Sequence, residues 1–192
     1  MARGSYRWGP AGALSIQAAS DMHSGYAFAD CLRQMPGHFD LIVNGRPHQV
    51  SGDEATLLDV LRNELGLRAT RFGCGLEQCG ACMVLVDGEP VHACTRLVST
   101  LPGKQVVTVE GLAEDGSLEP LRQAFLAAQA GQCGFCLSGI LVSAKALLDR
   151  NPAPSRGEIA AALDRNLCRC GAHNRILRAI QRAASRRSGA PA

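Results

Sequence analysis

The chain has 192 residues, a length that suits one or two domains with a modest core in each. Its net charge of +3 provides no strong field for nucleic acids or membrane surfaces, and no apolar run reaches the roughly 18 residues of a membrane-spanning helix. Nine cysteines are many for this length, and an odd number does not suit a disulfide framework.

Residues 1–38 are predicted to form an irregular extension, because Gly, Ser and Pro are scattered through them without a sustained period. Alternatives are a start codon at Met22 or Met35, or a targeting role. The segment makes a poor signal peptide, so we expect a cytoplasmic, reducing compartment, with the periplasm reached only by co-export with a partner. Cys31 lies here without a spaced partner and is not predicted as a ligand.

Residues 39–113 show short strands around one helix. FDLIVNGRPHQVSG predicts a hairpin that turns at Asn44 and Gly45. TLLDVLRNELG has leucines at helical spacing and a stop at Gly66. MVLVDGEPVHAC predicts a second hairpin, and KQVVTVEG predicts a last strand. The pattern indicates a small α+β domain.

Residues 117–185 have a helical pattern instead, after a polar boundary near residues 112–117. Four helices are predicted in LEPLRQAFLAAQAG, SGILVSAKALLDRNP, SRGEIAAALDRN and HNRILRAIQRAASRR. The third helix opens with Ser155 and Glu158 at the spacing of a capping box. Brief links between short helices favour a compact helical bundle.

Four cysteines of the first domain have the spacing C-x4-C-x2-C-x11-C, which is typical of a plant-type [2Fe–2S] cluster. Such a cluster is an anion, and the surrounding glycines let backbone N–H groups turn towards its sulfurs. A structural zinc site is the alternative, although zinc sites usually show two C-x2-C knuckles. The predicted ligands are Cys74, Cys79, Cys82 and Cys94.

Four cysteines of the second domain have the spacing C-x2-C-x31-C-x-C. Each pair lies in a turn before a predicted helix, so two positive helix N-termini would face one centre and favour an anion there. The residues alone leave zinc and iron–sulfur both open. A thioredoxin-like redox pair in CGFC is a third possibility, but no βαβ pattern surrounds it. The predicted ligands are Cys133, Cys136, Cys168 and Cys170.

The order of FGCGLEQCGACMVLVDG, HAC, GQCGFC and NLCRCGAH resembles the small iron–sulfur subunit of the xanthine dehydrogenase family of molybdenum hydroxylases. The resemblance runs from about Phe39 to about Ala184, and CGAHNRILRAI looks closest to nicotinate, isoquinoline and certain aldehyde dehydrogenases. It implies an α+β fold: a β-grasp, plant-ferredoxin-like domain followed by an all-α four-helix bundle domain. Each domain would hold one [2Fe–2S] cluster.

The resemblance also implies a role as the electron-transfer subunit of an oxidoreductase complex. A molybdopterin-binding large subunit would hydroxylate an N-heteroaromatic compound or an aldehyde. The C-terminal cluster would take the electrons, and the plant-type cluster would pass them to a flavin or cytochrome acceptor. Gln132 and Cys170 match family positions near the partner's pterin, although Gln132 could be a plain helix-end residue. No phosphate-binding glycine motif is present, so FAD and NAD are not expected on this chain.

Some residues depart from the family pattern or leave their role open. Glu77 stands where the family usually has a small residue, often Gly, and Met83 stands where Thr is common. A carboxylate beside an anionic cluster would make reduction harder, but the favoured interpretation has Glu77 pointing into water without effect. A stripe of arginines on the last helix is either a docking face for an acidic partner or a solvated face: Arg175, Arg178, Arg182 and Arg186.

Two other functional classes remain open at this point. A freestanding ferredoxin-like electron carrier would have the same cysteines and no large subunit. A zinc-stapled interaction protein would have the same cysteines and no redox role. Colour and acid-labile sulfide separate the second class from the iron–sulfur proteins.

Overall fold

The structure is a computed structural model and describes residues 38–187. The described residues belong to one compact unit. The predicted extension, except its last residue His38, lies outside the described residues, and so does Cys31. Within the part of the chain that is described, no helix is both long and apolar enough to cross a membrane.

The first half is built on a mixed five-stranded sheet. Its strands are β1 (His38–Val43), β2 (Arg46–Ser51), β3 (Met83–Val86), β4 (Glu89–His92) and β5 (Gln105–Val107). The sheet order is β2-β1-β5-β3-β4, in which β1 and β5 run parallel and the other neighbours are antiparallel. Both predicted hairpins are present. This mixed sheet agrees with the predicted ferredoxin-like α+β domain.

The leucine-rich segment forms one short helix, α1. It begins as α-helix over Leu57–Asp59 and continues as a π-helical turn over Val60–Glu64. Thr56 caps its start by accepting a hydrogen bond from the backbone N–H of Asp59 at 3.2 Å. The buried leucines of α1 join a core with sheet residues that include Leu41.

Five further helices follow the sheet: α2 (Val109–Glu114), α3 (Glu119–Ala127), α4 (Leu137–Arg150), α5 (Arg156–Ala162) and α6 (His173–Arg187). The four predicted helices are confirmed, as is the Ser155–Glu158 capping box. The predicted last strand is present but ends at Val107, so the prediction of a strand is wrong over residues 109–111, where α2 begins.

Tertiary contacts that are distant in sequence explain why α2 forms. Asn44 Oδ1 accepts a hydrogen bond from the Thr108 N–H at 2.9 Å, where the chain leaves β5. Glu110 accepts one from the Ala69 N–H at 2.8 Å. Gly111 lies so close to Asn44 that a Cβ there would be 2.2 Å from Oδ1. The β-branched residues in VVTVEG favour a strand locally, but these long-range contacts stabilise a helix instead.

The buried side chains fall into two clusters that share strand β3. Met83 and Leu85 lie in the cluster formed with the helices, whereas Val84 and Val86 lie in the cluster beneath the sheet. This division follows from strand geometry, because successive side chains point to opposite faces. In the helical half, α3 contacts α6, α6 contacts α5, α5 contacts α4, and α4 contacts α3.

Candidate metal centres

The loop between α1 and β3 carries three of the cysteines and directs backbone N–H groups at their sulfurs. The N–H groups of Leu76 and Gln78 each lie 3.3 Å from Cys74 Sγ, and the N–H of Cys74 lies 3.3 Å from Cys79 Sγ. Such hydrogen bonds stabilise negative charge on sulfur. The loop is therefore shaped to hold thiolates.

Close packing explains a glycine beside this loop's sulfurs. A Cβ on Gly73 would lie 2.6 Å from Cys79 Sγ, well inside van der Waals contact. Only glycine allows the backbone to come this close to the thiol.

The second set of cysteines lies where the sequence predicts it, in the turns before α4 and α6. The N–H of Phe135 lies 3.5 Å from Cys133 Sγ. His173 Nε2 accepts a hydrogen bond from the backbone N–H of Cys168 at 3.4 Å. This contact of His173 was not predicted from the sequence, although the position of His173 three residues after Cys170 could have suggested it.

The eight thiols form four pairs, and all eight are free of disulfides. Cys133 Sγ and Cys170 Sγ are 3.5 Å apart, and in each of the other three pairs one thiol lies close enough to its partner to shift its pKa. The pairs are Cys74 with Cys79, Cys82 with Cys94, Cys133 with Cys170, and Cys136 with Cys168.

This pairing fits a two-metal cluster better than a single ion. Structural zinc requires four donors around one ion. A [2Fe–2S] cluster takes four thiolates over two irons, and hence two per iron.

The thiols differ in burial: Cys82, Cys136 and Cys168 are buried, Cys133 is exposed, and the other four are half-buried. Burial raises the pKa of Cys82 and of Cys136 to about 12. Burial also acts to raise the pKa of Cys74, but hydrogen bonds from the loop outweigh it and bring the pKa to about 7. The Phe135 N–H lowers the pKa of the exposed Cys133 thiol.

The two cysteine loops touch along a seam between the sheet and the helices. The N–H of Leu167 donates to the carbonyl of Cys79 at 2.9 Å, and Asn166 Nδ2 donates to the carbonyl of Gly80 at 3.4 Å. Gly80 has φ of 67°, and a Cβ there would lie 2.3 Å from the carbonyl oxygen of Arg165. A Cβ on Gly139 of α4 would lie 1.8 Å from the Gly80 carbonyl oxygen.

A small cavity of about 180 Å³ lies on this seam. Residues of both cysteine sets line it, among them Cys79, Cys133, Cys136 and Cys168. The guanidinium of Arg71 lies 5.4 Å from the centre of the Phe135 ring, which also lines the cavity, and it donates to the carbonyl of Gly134. The two candidate centres are therefore neighbours.

The Glu77 side chain is 40% exposed, but its carboxylate is hydrogen-bonded instead of standing free in water, and the absence of an effect on reduction stays a prediction. Its carboxylate accepts hydrogen bonds from the Thr95 hydroxyl and from Arg165, the second at 3.1 Å. The Thr95 hydroxyl holds the pKa of Glu77 below its usual range, with Arg165 adding to the effect. Its backbone is left-handed, with φ of 57°, which costs about 1–3 kcal/mol for a non-glycine residue.

Gln132 lies beside the second set, and its Nε2 donates to the carbonyl of Cys170 at 3.3 Å. It lines an open groove of about 540 Å³ together with Phe125, Leu126 and Arg175. The four arginines of the predicted stripe lie on α6. Their role in docking stays a prediction.

Two family models match the chain, one for each half. Residues 41–113 match the 2Fe-2S iron-sulfur cluster binding domain, and residues 108–181 match the [2Fe-2S] binding domain. The first range contains the plant-type cysteine loop, and the second contains the C-terminal set.

The chain is similar to subunits of several dehydrogenases and oxidoreductases, some of which are named as iron–sulfur subunits. One nicotinate dehydrogenase subunit of Pseudomonas putida is 47% identical over 148 residues, which are 77% of this chain and 94% of that protein. In the crystal structure of quinoline 2-oxidoreductase from Pseudomonas putida 86, one chain matches with a TM-score of 0.72 and 37% identity, covering 80% of this chain and 98% of that one.

The aldehyde oxidoreductase of Desulfovibrio desulfuricans matches with a TM-score of 0.74 and 39% identity. The match covers 80% of this chain but only 17% of that longer chain. Both cysteine sets and both domain matches therefore lead to one assignment. The chain belongs to the xanthine dehydrogenase family, as one of its small [2Fe–2S] subunits.

Proposed function

We propose that this chain carries electrons from a molybdopterin large subunit to an external acceptor through two [2Fe–2S] clusters, one in each cysteine set. The chain is an electron-transfer subunit of an oxidoreductase complex, and hydroxylation of the substrate occurs on the partner. The observation that carries the proposal is the arrangement of eight free thiols in four pairs, with the loop that holds Cys79 in contact with the turn that holds Cys168.

Each thiol pair would hold one iron. Cys74 with Cys79 and Cys82 with Cys94 would bind the outer cluster, and the other two pairs would bind the inner one. When bound, each cluster accepts and releases one electron at a time. The N–H groups of Leu76 and Gln78 stabilise negative charge on the Cys74 sulfur, because they already point at it in the protein.

The seam supplies a short connection between the two cysteine sets. Leu167 directly precedes Cys168 in the chain, and its N–H donates to the carbonyl of Cys79. The backbone thus joins an inner ligand to an outer ligand through one hydrogen bond. Electron transfer weakens steeply with distance, so fixing this contact favours transfer between the two sites.

The side of the chain that faces the pterin is proposed from Gln132 and Cys170. Gln132 already contacts the backbone of Cys170, so this edge of the inner site is preorganised. The outer set would then face the acceptor, which we propose to be a flavin or a cytochrome subunit. The substrate of the complex is proposed to be an N-heteroaromatic compound or an aldehyde, as the names of the relatives indicate.

Finer points of organisation are also proposals. The boundary between a ferredoxin-like domain (39–113) and a helical domain (117–185) is supported by the two hydrophobic clusters. A four-helix bundle of α3, α4, α5 and α6 is supported by their closed ring of contacts. A cytoplasmic location is supported by the free thiols, which need a reducing compartment.

The decisive test is the metal content of the full chain purified without oxygen. Two clusters give about four irons and about four acid-labile sulfides per chain. Reduction with dithionite should then give two distinct electron paramagnetic resonance (EPR) signals. Zinc without sulfide, in protein that has not lost clusters during purification, would contradict the proposal.

A second experiment tests the partner. The tagged chain should co-purify with a large subunit that contains molybdenum and pterin, and substrate should reduce the clusters in that complex. A stable chain with both clusters that never captures a large subunit would instead identify a freestanding carrier.

A further inference from the structure

We propose that Glu77 is a positioning residue that clamps the outer cysteine loop to the helical half and so fixes the two proposed cluster sites relative to each other. This inference rests on the proposed function, because it concerns the separation of those sites. It assigns a task to a side chain that is not a metal ligand.

The first observation is the backbone of Glu77. Among the described non-glycine residues, only four have positive φ, and two of them, Asn44 and Asp87, occupy hairpin turns. Left-handed backbone suits Asn and Asp far better than Glu. A Glu held in this conformation between two ligands indicates that its side chain makes contacts that offset the strain.

The second observation is what the carboxylate joins. One oxygen accepts a hydrogen bond from Thr95, the residue that follows Cys94. The other accepts from Arg165, three residues before Cys168 and 88 residues away from Glu77 in sequence. One side chain therefore links the outer loop, the fourth outer cysteine and the segment that leads into the inner set.

The third observation is that these contacts lie beside the seam. Arg165 is followed by Asn166 and Leu167, which donate to the carbonyls of Gly80 and Cys79. The ion pair and these hydrogen bonds involve adjacent residues of the 165–167 segment. Loosening Arg165 should therefore loosen the Leu167 contact, which joins the two cysteine sets.

The chain offers a matched control. Arg150 at the end of α4 forms an ion pair with Glu89 of β4 at 2.8 Å, and this pair also joins the sheet to the helices. Its side chains are 55% and 62% exposed, similar to the 59% and 40% of Arg165 and Glu77. Neither control residue lies in a cysteine loop.

The test is hydrogen exchange of the Leu167 amide in the full chain. Glu77→Gln and Arg165→Gln should each speed exchange about two- to fivefold, as expected for loss of an exposed ion pair. The double variant should add nothing to either single one, because each removes the same interaction. Glu77→Gly, whose backbone suits the left-handed turn, should keep the loop folded and still speed exchange.

Glu89→Gln and Arg150→Gln should leave exchange at Leu167 unchanged. Unchanged exchange in both Glu77 variants, or additive effects of Glu77→Gln and Arg165→Gln, would overturn the clamp. A second readout uses protein that holds both clusters, in which the magnetic interaction between the two clusters broadens their EPR signals. If Glu77 is a clamp, this interaction should become more heterogeneous in Glu77→Gly than in wild type. Wild-type chain without clusters would refute the proposed function instead, and the exchange measurement would still decide the clamp.

Discussion

Replacing Gly139 by alanine should separate the two cysteine loops, and the size of the effect follows from the seam. The new methyl group would start 1.8 Å from the Gly80 carbonyl oxygen, and real Cβ contacts are essentially never below 3.0 Å. The nearest atoms all belong to backbone, so no side chain can rotate away. Overpacking of this kind costs about 1–3 kcal/mol or more, against a gain of about 1 kcal/mol for Ala over Gly in a helix.

We take the overpacking cost near the upper end of its range, about 3 kcal/mol, because the contact is so short. After the gain in helix propensity is subtracted, we expect the free energy of unfolding to fall by about 2 kcal/mol. For a chain of this size, that loss lowers the melting temperature by roughly 4–8 °C. The assay is thermal unfolding followed by far-ultraviolet circular dichroism, with visible absorbance recorded to follow the clusters. Visible absorbance should be lost at the same lower temperature, because Gly80 directly follows Cys79 in the chain.

Gly157→Ala is the matched control, because Gly157 also lies in a helix and only Ser155 Oγ, at 3.9 Å, would meet its Cβ. It should gain about 0.5–1 kcal/mol from helix propensity and melt roughly 1–4 °C higher. A Gly139→Ala protein that melts at or above the wild-type temperature would refute the reasoning, since the carbonyl contact would then be easily relieved.

Three further predictions concern ligands, a helix cap and the partner face. Cys136→Ser should reduce the iron content from about four to about two per chain and leave one EPR signal. Cys31→Ser is the control and should change neither the iron content nor the EPR signals. A Cys136→Ser protein that still holds about four irons would show that Cys136 is not a ligand. Hydrogen bonds from Ser155 lower the pKa of Glu158 in the folded protein. The ionised Glu158 therefore stabilises the fold fully above its unfolded-state pKa of about 4.3, and this stabilisation is lost as the pH falls through the folded-state pKa. In unfolding titrations, Glu158→Gln should therefore be less stable than wild type at neutral pH and as stable as wild type in strong acid, below the folded pKa of Glu158. A difference in stability that persists in strong acid would show that the Glu158 carboxylate is not the stabilising group. Gln132→Ala should keep both clusters but weaken binding of the large subunit about two- to tenfold, which is the effect of losing one hydrogen bond. Unchanged affinity would mean that Gln132 is a plain helix-end residue.

The cysteine sets could be found from the sequence because their chemistry is encoded locally. Spacing and neighbouring glycines predict a loop that curls around sulfur, and the two turns before α4 and α6 lie where the sequence indicated. The pairing of thiols could not be read from spacing, since Cys82 pairs with a residue beyond β4 and Cys133 with one 37 residues away. Pairing depends on how distant segments meet.

The errors have the same physical origin. Helix α2 forms in a segment with strand propensity because Asn44 and Ala69 bind it from afar. Glu77 was expected to face water because its partners, Thr95 and Arg165, lie 18 and 88 residues away. Local patterns predict elements well, but contacts between elements follow from the assembled fold.

Strand β3 contributes side chains to both hydrophobic clusters, so the two halves of this chain are not fully separable modules. Met83 and Leu85 are 5% and 6% exposed only because the helices cover that face of the strand. A chain cut after residue 113 would present both side chains to water, and the Gly80 carbonyl would lose its hydrogen bond from Asn166. The motifs suggest two interchangeable parts, but because of the shared strand we expect the two halves to unfold together in a single transition, and neither cluster loop to fold correctly when it is transplanted without its neighbour.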